Sequence, residues 1–252
     1  MGEPVYYPVV KAFLGIFKLW RINVDCVGAE HVPTSGGAVF AINHTSFLDF
    51  IFAGVPAEEH HRYVRFMAKD AVFAHRIAGP LMRGMKHIPV DRSAGAHAYD
   101  TAVEALRAGE IVGVFPEATM SRSFDVKDFK TGAVRMAAEA GVPLYPEIVF
   151  GGQRMYSYHH RDFSRGHDVA ITLGEPMHPT TADDPEEFTA QLRARMITML
   201  DETIARYPVP REAGADLWWL PTRHGGTAPT LEQAAVLEEE AKARKAAKRA
   251  EN

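Results

Sequence analysis

The stretch AVFAINHTSFLDF, residues 38–50, combines the two local patterns from which we infer the fold. Residues 38–43 form a short apolar run that predicts a buried strand. Residues 44–54, HTSFLDFIFAG, place small polar residues ahead of an apolar segment, which is typical of the start of a helix. A strand that leads directly into a helix predicts an α/β unit, with His44 and Asp49 at its junction.

The same alternation continues along most of the chain. Further strands are predicted at 62–69, 87–92, 142–150 and 168–177. Residues 111–121 are predicted to form a strand followed by a loop. Helical patterns separate them at 70–83, 95–108, 132–140 and 185–206. Strands that alternate with helices predict a single α/β domain with a mixed sheet flanked by helices.

The prediction divides the chain into three regions. An N-terminal helix occupies residues 1–24, the α/β domain occupies 25–207, and a C-terminal region occupies 208–252. This last region is a Pro- and Gly-rich segment followed by a charged helical tail, which is either a solvated helix or partly disordered. A length of 252 residues is compatible with one sizeable core in the central domain.

The N-terminal stretch VYYPVVKAFLGIFKLWR, residues 5–21, is apolar and aromatic. Lysines interrupt it, and it falls short of the roughly 20 apolar residues that a transmembrane helix needs. Lys11, Gly15 and Lys18 would form a narrow polar stripe on a helix whose other faces are apolar. Such a helix suits the membrane interface, and the alternative is a first helix packed on the core.

The charge distribution is more informative than the overall composition. A net charge of -4 gives no general attraction to nucleic acid. Between His61 and Arg92, seven lysine and arginine residues stand against two aspartates, which indicates either a solvated face or a site for an anionic ligand. The single cysteine, Cys26, excludes a disulfide within the chain and favours a reducing compartment.

His44 and Asp49 are either a catalytic pair or part of an ordinary strand-to-helix turn. If His44 precedes the helix, its ring can fold back on the Asp49 carboxylate, which would fix the tautomer and stabilise the imidazolium. The other ring nitrogen could then take a proton from a hydroxyl. Because the chain has no G-x-S-x-G motif, that hydroxyl would belong to the substrate. The spacing alone leaves both interpretations open.

Three further motifs lie at predicted strands. GMKHIPVDR, residues 84–92, places Arg92 at a strand end, where a guanidinium could bind a phosphate with two hydrogen bonds. FPEATMS, residues 115–121, leaves a buried strand as a polar loop, at the edge where open α/β sheets bind ligands. VPLYPEIV, residues 142–149, is another strand that contains two prolines.

In this order, the four motifs resemble the sequence blocks of the glycerolipid acyltransferases, of the 1-acylglycerol-3-phosphate acyltransferase (lysophosphatidic acid acyltransferase) type. NHTSFLD fits the N-H-x-x-x-x-D block fully, and FPEATMS fits F-P-E-G-T-R-S in five of seven positions. FKTGAVRMA, residues 129–137, is similar to the stretch that follows the third block in the family. The resemblance covers roughly residues 25–175.

The resemblance implies transfer of a fatty acyl chain from acyl-CoA or acyl carrier protein to the free hydroxyl of 1-acylglycerol 3-phosphate. The product would be phosphatidate, in phospholipid biosynthesis. His44 would be the general base and Asp49 would orient it, with direct attack on the thioester and no acyl-enzyme. The implied substrate-binding residues are Arg92, Glu117, Thr119 and Ser121. No metal or cofactor is implied.

Two residues of the third motif depart from the family pattern. Ala118 replaces glycine and adds a methyl group where the backbone needs unusual angles. Met120 replaces arginine and removes a cation expected near the acceptor phosphate, at a cost of about 1.5–3 kcal/mol unless another cation compensates. Arg122, Lys130 and Arg83 are the candidates for that replacement.

Met120 also favours an alternative within the class, which is acylation of another lysolipid or glycolipid hydroxyl. An alternative from another class is a non-catalytic lipid-binding protein on the same fold. The expected partners are the acyl donor, a lysolipid and the membrane surface, with no nucleic acid. The expected location is the cytoplasmic face of the cell membrane, as a peripheral or monotopic protein.

Overall fold

A computed structural model describes residues 3–91, 95–210, 212 and 214–250 of the chain. The helices of these residues are α1 (Tyr6–Trp20), α2 (Asp49–Phe52), α3 (Val55–Glu58), α4 (Asp70–Phe73), α5 (Ala78–Gly84), α6 (Gly95–Arg107), α7 (Gly132–Ala140), α8 (Pro185–Arg206) and α9 (Leu231–Ala250). The strands are β1 (Asn23–Val27), β2 (Ala38–Ile42), β3 (Val64–Lys69), β4 (Ile88–Val90), β5 (Ile111–Val114), β6 (Leu144–Phe150), β7 (Tyr156–Ser157), β8 (His160–Arg161) and β9 (Asp168–Leu173).

One mixed sheet contains seven of the described strands in the order β1-β9-β6-β2-β5-β3-β4. The five strands from β6 to β4 are parallel, β9 is antiparallel to β6, and β1 is parallel to β9. The expected α/β domain with a mixed sheet flanked by helices is therefore confirmed. Because β2 lies between β5 and β6, the loops that leave the carboxyl ends of these three strands emerge side by side.

Apolar side chains cover both faces of the sheet, which explains the continuous apolar runs of its central strands. Along β2, Val39 and Ala41 pack with α6, α7 and α8, whereas Phe40 and Ile42 pack on the opposite face with α1 and α2. All five residues of β2 are fully buried. Two-sided burial fixes the register of β2 and therefore the point at which His44 leaves the sheet.

The sequence-based prediction missed β1, the β7–β8 hairpin and a break in one helix. β1 is a short edge strand whose residues alternate between exposed and half-buried, so it lacks the apolar run of a central strand. The predicted helix over residues 70–83 is two short helices, α4 and α5. The other predicted helices and strands are present, with shifts of a few residues at their ends.

The N-terminal helix packs one face on the domain. Phe17 stacks on Phe52 of α2 with ring centroids 5.0 Å apart, and the Tyr6 hydroxyl donates to the backbone oxygen of Val64 at 2.6 Å. The opposite face leaves Ile16 and Leu19 about half exposed. None of the described helices combines the length and the apolar character needed to cross a bilayer.

Two of the seven basic residues between residues 61 and 92 form contacts that stabilise the fold. Arg65 is 2% exposed and forms ion pairs with Glu3 and Glu110. The Arg62 guanidinium donates to three backbone oxygens, at Pro33, Gly36 and Gly109. These two arginines are committed to structural contacts, so they do not contribute to a site for an anionic ligand.

The C-terminal region after the central domain is packed on it. Trp219 and Leu220 are almost fully buried in the same core cluster as Phe150 of β6. Arg223 forms ion pairs with Asp125, in the loop that follows β5, and with Asp201 of α8. These contacts bring α9 close to the carboxyl edge of the sheet. The division into three regions inferred from the sequence stays a prediction.

Substitution of Gly113, in the centre of β5, tests how tightly the core is packed. A Cβ atom there would lie 2.6 Å from Val64 Cγ1 and 2.8 Å from the Phe66 ring. We expect Gly113→Ala to lower the free energy of unfolding in urea by about 1–3 kcal/mol, because the filled core cannot accept a methyl group. The matched control is Gly132→Ala at the start of α7, where a Cβ meets nothing within 4 Å. Equal effects of the two substitutions would contradict this account.

Candidate active site

The candidate site lies where the loops after β2 and β5 meet. Asn43 follows β2 and links it to β6 through two hydrogen bonds of its side chain. Asn43 Nδ2 donates to Val149 O at 3.1 Å, and Asn43 Oδ1 accepts from Val149 N at 2.7 Å. Asn43 is 1% exposed, so both hydrogen bonds lie in a dry environment. The next residue, His44, therefore starts from a fixed position at the sheet edge.

His44 and Asp49 form a hydrogen-bonded pair. His44 Nδ1 lies 3.0 Å from Asp49 Oδ2, and His44 precedes α2, whose first residue is Asp49. The ring folds back on the carboxylate, as expected for a histidine ahead of the helix. With the proton on Nδ1 facing Asp49, Nε2 is the nitrogen that can accept a proton from a substrate.

The Asp49 carboxylate also closes the turn between β2 and α2. Its Oδ2 accepts the backbone N–H groups of Thr45 at 2.7 Å and Ser46 at 2.8 Å. Asp49 is fully buried. Burial raises the pKa of Asp49, and the hydrogen bonds from His44 and the two backbone amides oppose that rise. One carboxylate thus serves both the turn and the histidine.

The third motif holds the backbone of His44 from the other side. Glu117 Oε1 accepts the His44 N–H at 3.0 Å, and the Ser121 N–H donates to His44 O at 2.7 Å. The Phe115 ring packs against the imidazole with centroids 4.4 Å apart. These three contacts, together with Asp49, restrict both the position and the ring orientation of His44.

Glu117 is a buried acid with an unusual protonation equilibrium. Burial raises its pKa to about 8, while the His44 N–H and the nearby positive charge of Lys127 oppose the rise. Its second oxygen, Oε2, has no hydrogen-bond partner among the described residues. At neutral pH the carboxyl is therefore mainly protonated and can still accept the backbone hydrogen bond of His44.

The other candidate residues occupy different environments. The Thr119 hydroxyl accepts a hydrogen bond from Lys127 Nζ at 2.7 Å. Ser121 is fully buried, and its hydroxyl is 2.9 Å from that of Ser123. Their roles as substrate contacts stay predictions.

Each candidate cation contacts a different part of the fold. The Arg122 guanidinium stacks on the Tyr158 ring at 3.9 Å from its centroid. Lys130 is exposed, and its backbone N–H donates to Pro116 O. Arg83 donates to Phe73 O on α4. Arg92 lies outside the described residues, so its expected role in binding phosphate stays a prediction.

The two departures from the family pattern have distinct structural consequences. Ala118 adopts φ 61°, in the left-handed region that favours glycine, which confirms the expectation of an unusual backbone angle there. Met120 is 3% exposed, so its side chain contributes to the core. No cation at position 120 is therefore available to an acceptor phosphate.

Sequence reasoning missed two charged residues close to this site. Lys127 contacts Thr119 and influences Glu117, but no recognised pattern marked it. Glu147 on β6 is fully buried, and burial together with the nearby Asp49 holds its pKa well above the ordinary value. A glutamate inside the apolar strand VPLYPEIV was a signal that could have identified Glu147.

Comparisons with known proteins define the class to which this fold and site belong. The Acyltransferase family model matches residues 23–149, which include the His44–Asp49 pair and all four motifs. This match covers half of the chain. The chain therefore belongs to the acyltransferase family, and the resemblance inferred from the motifs is confirmed.

Within this family, similar relatives are named for one activity. The chain is 31% identical over 162 residues to the 1-acyl-sn-glycerol-3-phosphate acyltransferase of Bacillus subtilis, covering 63% of this chain and 75% of that protein. It is 29% identical over 176 residues to the chloroplastic enzyme LPAT1 of Arabidopsis thaliana, which carries the same activity name. That match covers 68% of this chain and 48% of the Arabidopsis protein.

A solved structure supports the fold. The 1-acyl-sn-glycerophosphate acyltransferase PlsC from Thermotoga maritima superposes with a TM-score of 0.68 at 22% identity. The match covers 81% of each chain. The α/β architecture described above is therefore shared with an acyltransferase of known structure.

The raised pKa of Glu117 predicts a pH-dependent stability. Between the ordinary value of 4.5 and about 8, the unfolded chain is ionised at this position while the folded chain is protonated. Wild-type stability therefore falls with rising pH in this window, with a slope of at most about 1.4 kcal/mol per pH unit. We expect Glu117→Gln, which cannot ionise, to gain free energy of unfolding relative to wild type between pH 5 and 8.

Urea unfolding at several pH values measures this difference. The matched control is Glu175→Gln, whose carboxylate is exposed and forms only a long contact with Arg195. The free energy of unfolding of Glu175→Gln is expected to differ from that of wild type by a constant amount between pH 5 and 8. If the free energy of unfolding of Glu117→Gln also differs from wild type by a constant amount across this pH range, Glu117 is ionised in the folded chain.

Proposed function

We propose that this protein transfers a fatty acyl chain from an acyl thioester to the free hydroxyl of 1-acylglycerol 3-phosphate. The observation that carries the proposal is the His44–Asp49 pair, at 3.0 Å, held at the carboxyl edge of the sheet by the third motif. The similar relatives from Bacillus subtilis and Arabidopsis thaliana, which are named for this activity, support the choice of acceptor.

In the proposed reaction, the acceptor hydroxyl attacks the thioester carbonyl carbon directly. His44 Nε2 takes the hydroxyl proton as the new C–O bond forms, and the imidazolium is stabilised by the Asp49 carboxylate. The tetrahedral intermediate then collapses, and the C–S bond breaks. The imidazolium returns its proton to the departing thiolate, so His44 is regenerated with the ester and the free thiol.

The environments of Ser46, Ser121 and Cys26 support a route without an acyl-enzyme. The Ser46 hydroxyl donates to Tyr156 O and accepts from Leu48 N, so it is already engaged. The Ser121 hydroxyl is buried against Ser123. Burial raises the pKa of the Cys26 thiol to about 12, which makes it a poor nucleophile at neutral pH.

A narrow apolar groove with a volume of about 60 Å³ marks the proposed entry point for the acyl chain of the donor, and α1 would have to shift to admit a whole chain. The groove lies between α1 and the segment that contains α2 and α3, and its lining includes Phe13, Phe50 and Phe66. Phe66 stacks toward Phe115, with centroids 6.4 Å apart, and Phe115 packs on the His44 ring. This chain of aromatic contacts links the groove to the proposed base. Either acyl-CoA or acyl carrier protein could present the thioester.

The buried Met120 favours a second candidate, which is acylation of another lysolipid or glycolipid hydroxyl. In the third motif the family pattern has arginine at this position, and the methionine side chain lies in the core. An acceptor without a phosphate monoester would not require the missing cation. The chemistry of His44 and Asp49 would be unchanged.

A thiol-release assay distinguishes these functions. Purified protein with acyl-CoA is offered lysophosphatidate, lysophosphatidylinositol, glycerol 3-phosphate or no acceptor. We expect thiol release that requires lysophosphatidate and that falls by about 10²–10⁴-fold in His44→Ala, because the general base is lost. Asp49→Asn keeps the shape of the side chain but removes the charge, so its rate should fall as well.

The control for this assay is His178→Ala, which removes an exposed histidine distant in sequence from the four motifs. Its rate is expected to match wild type. Thiol release that occurs only with another acceptor would support the second candidate function instead. Binding of lysophosphatidate with no release from any acceptor or donor would favour the non-catalytic lipid-binding protein.

We also propose that the protein acts at the cytoplasmic face of the cell membrane, with α1 at the interface. Ile16 and Leu19 of α1 are 43% and 57% exposed, and Ile77, ahead of α5, is 73% exposed. Exposed apolar side chains at an interface gain free energy by entering lipid. The acceptor itself is a membrane lipid, so this location would bring enzyme and substrate together.

Leu19→Glu tests the membrane proposal. Replacing an exposed apolar side chain with a charged one should weaken cosedimentation with anionic phospholipid vesicles by several-fold. Val236→Glu is the matched control, since Val236 is 60% exposed on α9 and is not part of α1. Equal loss of vesicle binding in both variants, or in neither, would argue against α1 as the membrane-facing element.

A further inference from the structure

Lys127, which belongs to none of the four sequence motifs, places its ammonium group beside the candidate site. Lys127 Nζ donates to Thr119 Oγ1 at 2.7 Å and to Glu238 Oε1 at 2.8 Å. Thr119 Oγ1 also lies 3.4 Å from Glu238 Oε2. The side chains of Lys127 and Glu238 are only 15% and 19% exposed. These groups form a compact polar contact between the loop after β5 and α9.

The backbone of Lys127 is held by contacts that do not involve Glu238. Arg193 of α8 donates to the backbone oxygens of Lys127 at 2.8 Å and Val126 at 3.3 Å. The positive charge of Lys127 acts on Glu117, which in turn accepts the backbone N–H of His44. The ammonium therefore extends from an anchored backbone and lies close enough to Glu117, a neighbour of the proposed base, to influence it.

Glu238, in contrast, belongs to a helix with little anchoring surface. Within residues 231–244, only Ala234 is buried, and Glu238 and Ala241 are half-buried. This spacing gives one narrow contact face on α9. Because so little apolar surface is covered, detaching this part of the helix costs little compared with unfolding the domain.

We propose that Lys127 and Thr119 form the subsite for the acceptor phosphate, and that Glu238 occupies this subsite until the acceptor displaces it. A carboxylate and a phosphate monoester are both oxyanions that accept charge-assisted hydrogen bonds from an ammonium. Lys127 then supplies the cation that Met120 removes from the third motif. The inference rests on the proposed acylation of a phosphate-bearing acceptor, and it makes α9 an intramolecular competitor of that acceptor.

The first test compares Glu238→Gln with wild type in the thiol-release assay. Removing the competing carboxylate should lower the KM for lysophosphatidate by about threefold or more, with little change in kcat. Glu240→Gln is the matched control, because Glu240 is exposed on the same helix and loses the same charge. An unchanged or higher KM in Glu238→Gln would overturn the competition.

The second test removes the cation. Lys127→Met should raise the KM for lysophosphatidate by about tenfold or more, as expected for the loss of one hydrogen bond to a charged group. Lys127→Arg retains the charge and should keep most of the affinity. In the Lys127→Met background, Glu238→Gln should no longer lower KM, because the two residues act through one contact. Additive effects of the two substitutions would contradict a shared subsite.

A binding measurement separates this inference from the proposed function. Thermal stabilisation of the full chain by inorganic phosphate should increase in Glu238→Gln and disappear in Lys127→Met. This result without acylation of lysophosphatidate would reject the proposed function and support the subsite. Acylation of lysophosphatidate with the same KM in wild type and both variants would support the function and reject the subsite.

An acceptor that lacks phosphate provides the last control. If monoacylglycerol is acylated, neither Lys127→Met nor Glu238→Gln should change its KM, because it carries no anion for the subsite. Parallel changes for monoacylglycerol and lysophosphatidate would show that the substitutions alter the site as a whole. That outcome would overturn the assignment of Lys127 to phosphate recognition.

Discussion

The functional end of this fold depends on one buried oxygen, Oδ2 of Asp49, and the three groups that surround it. The backbone N–H groups of Thr45 and Ser46 lie 2.7 and 2.8 Å away, and His44 Nδ1 lies 3.0 Å away. The first two contacts shape the turn between β2 and α2, and the third orients the imidazole. The same hydrogen bonds that stabilise the fold therefore also prepare the histidine for proton transfer.

Buried acids on three different elements surround this arrangement. Asp49 lies at the start of α2, Glu117 in the loop after β5 and Glu147 on β6, and all three have almost no exposed surface. Burial, with a smaller contribution from the charge of Asp49, favours the protonated forms of Glu117 and Glu147, whereas Asp49 has donors to stabilise its charge. The negative charge is concentrated where the imidazolium would form.

The C-terminal region completes the structure in a way that the family motifs do not describe. Trp219 fills the core beside β6, and Arg223 joins the loop after β5 to α8. These contacts place α9 beside Lys127, whose ammonium donates to both Thr119 and Glu238. A segment outside the family match thus reaches the proposed acceptor site, and its carboxylate faces the charge that an anionic substrate would need.

The sequence by itself determined the α/β class and the alternating elements, because these depend on periodicity, and the resemblance of its motifs implied the His44–Asp49 pair, whose members lie close together in the chain. Only the tertiary structure decided which charges are free for a ligand. Arg65 is committed to an ion pair within the fold, whereas Lys127 meets Glu238 through a contact that spans 111 residues of sequence. Side chains from separate elements meet only when the core has packed, so no local pattern could predict this arrangement.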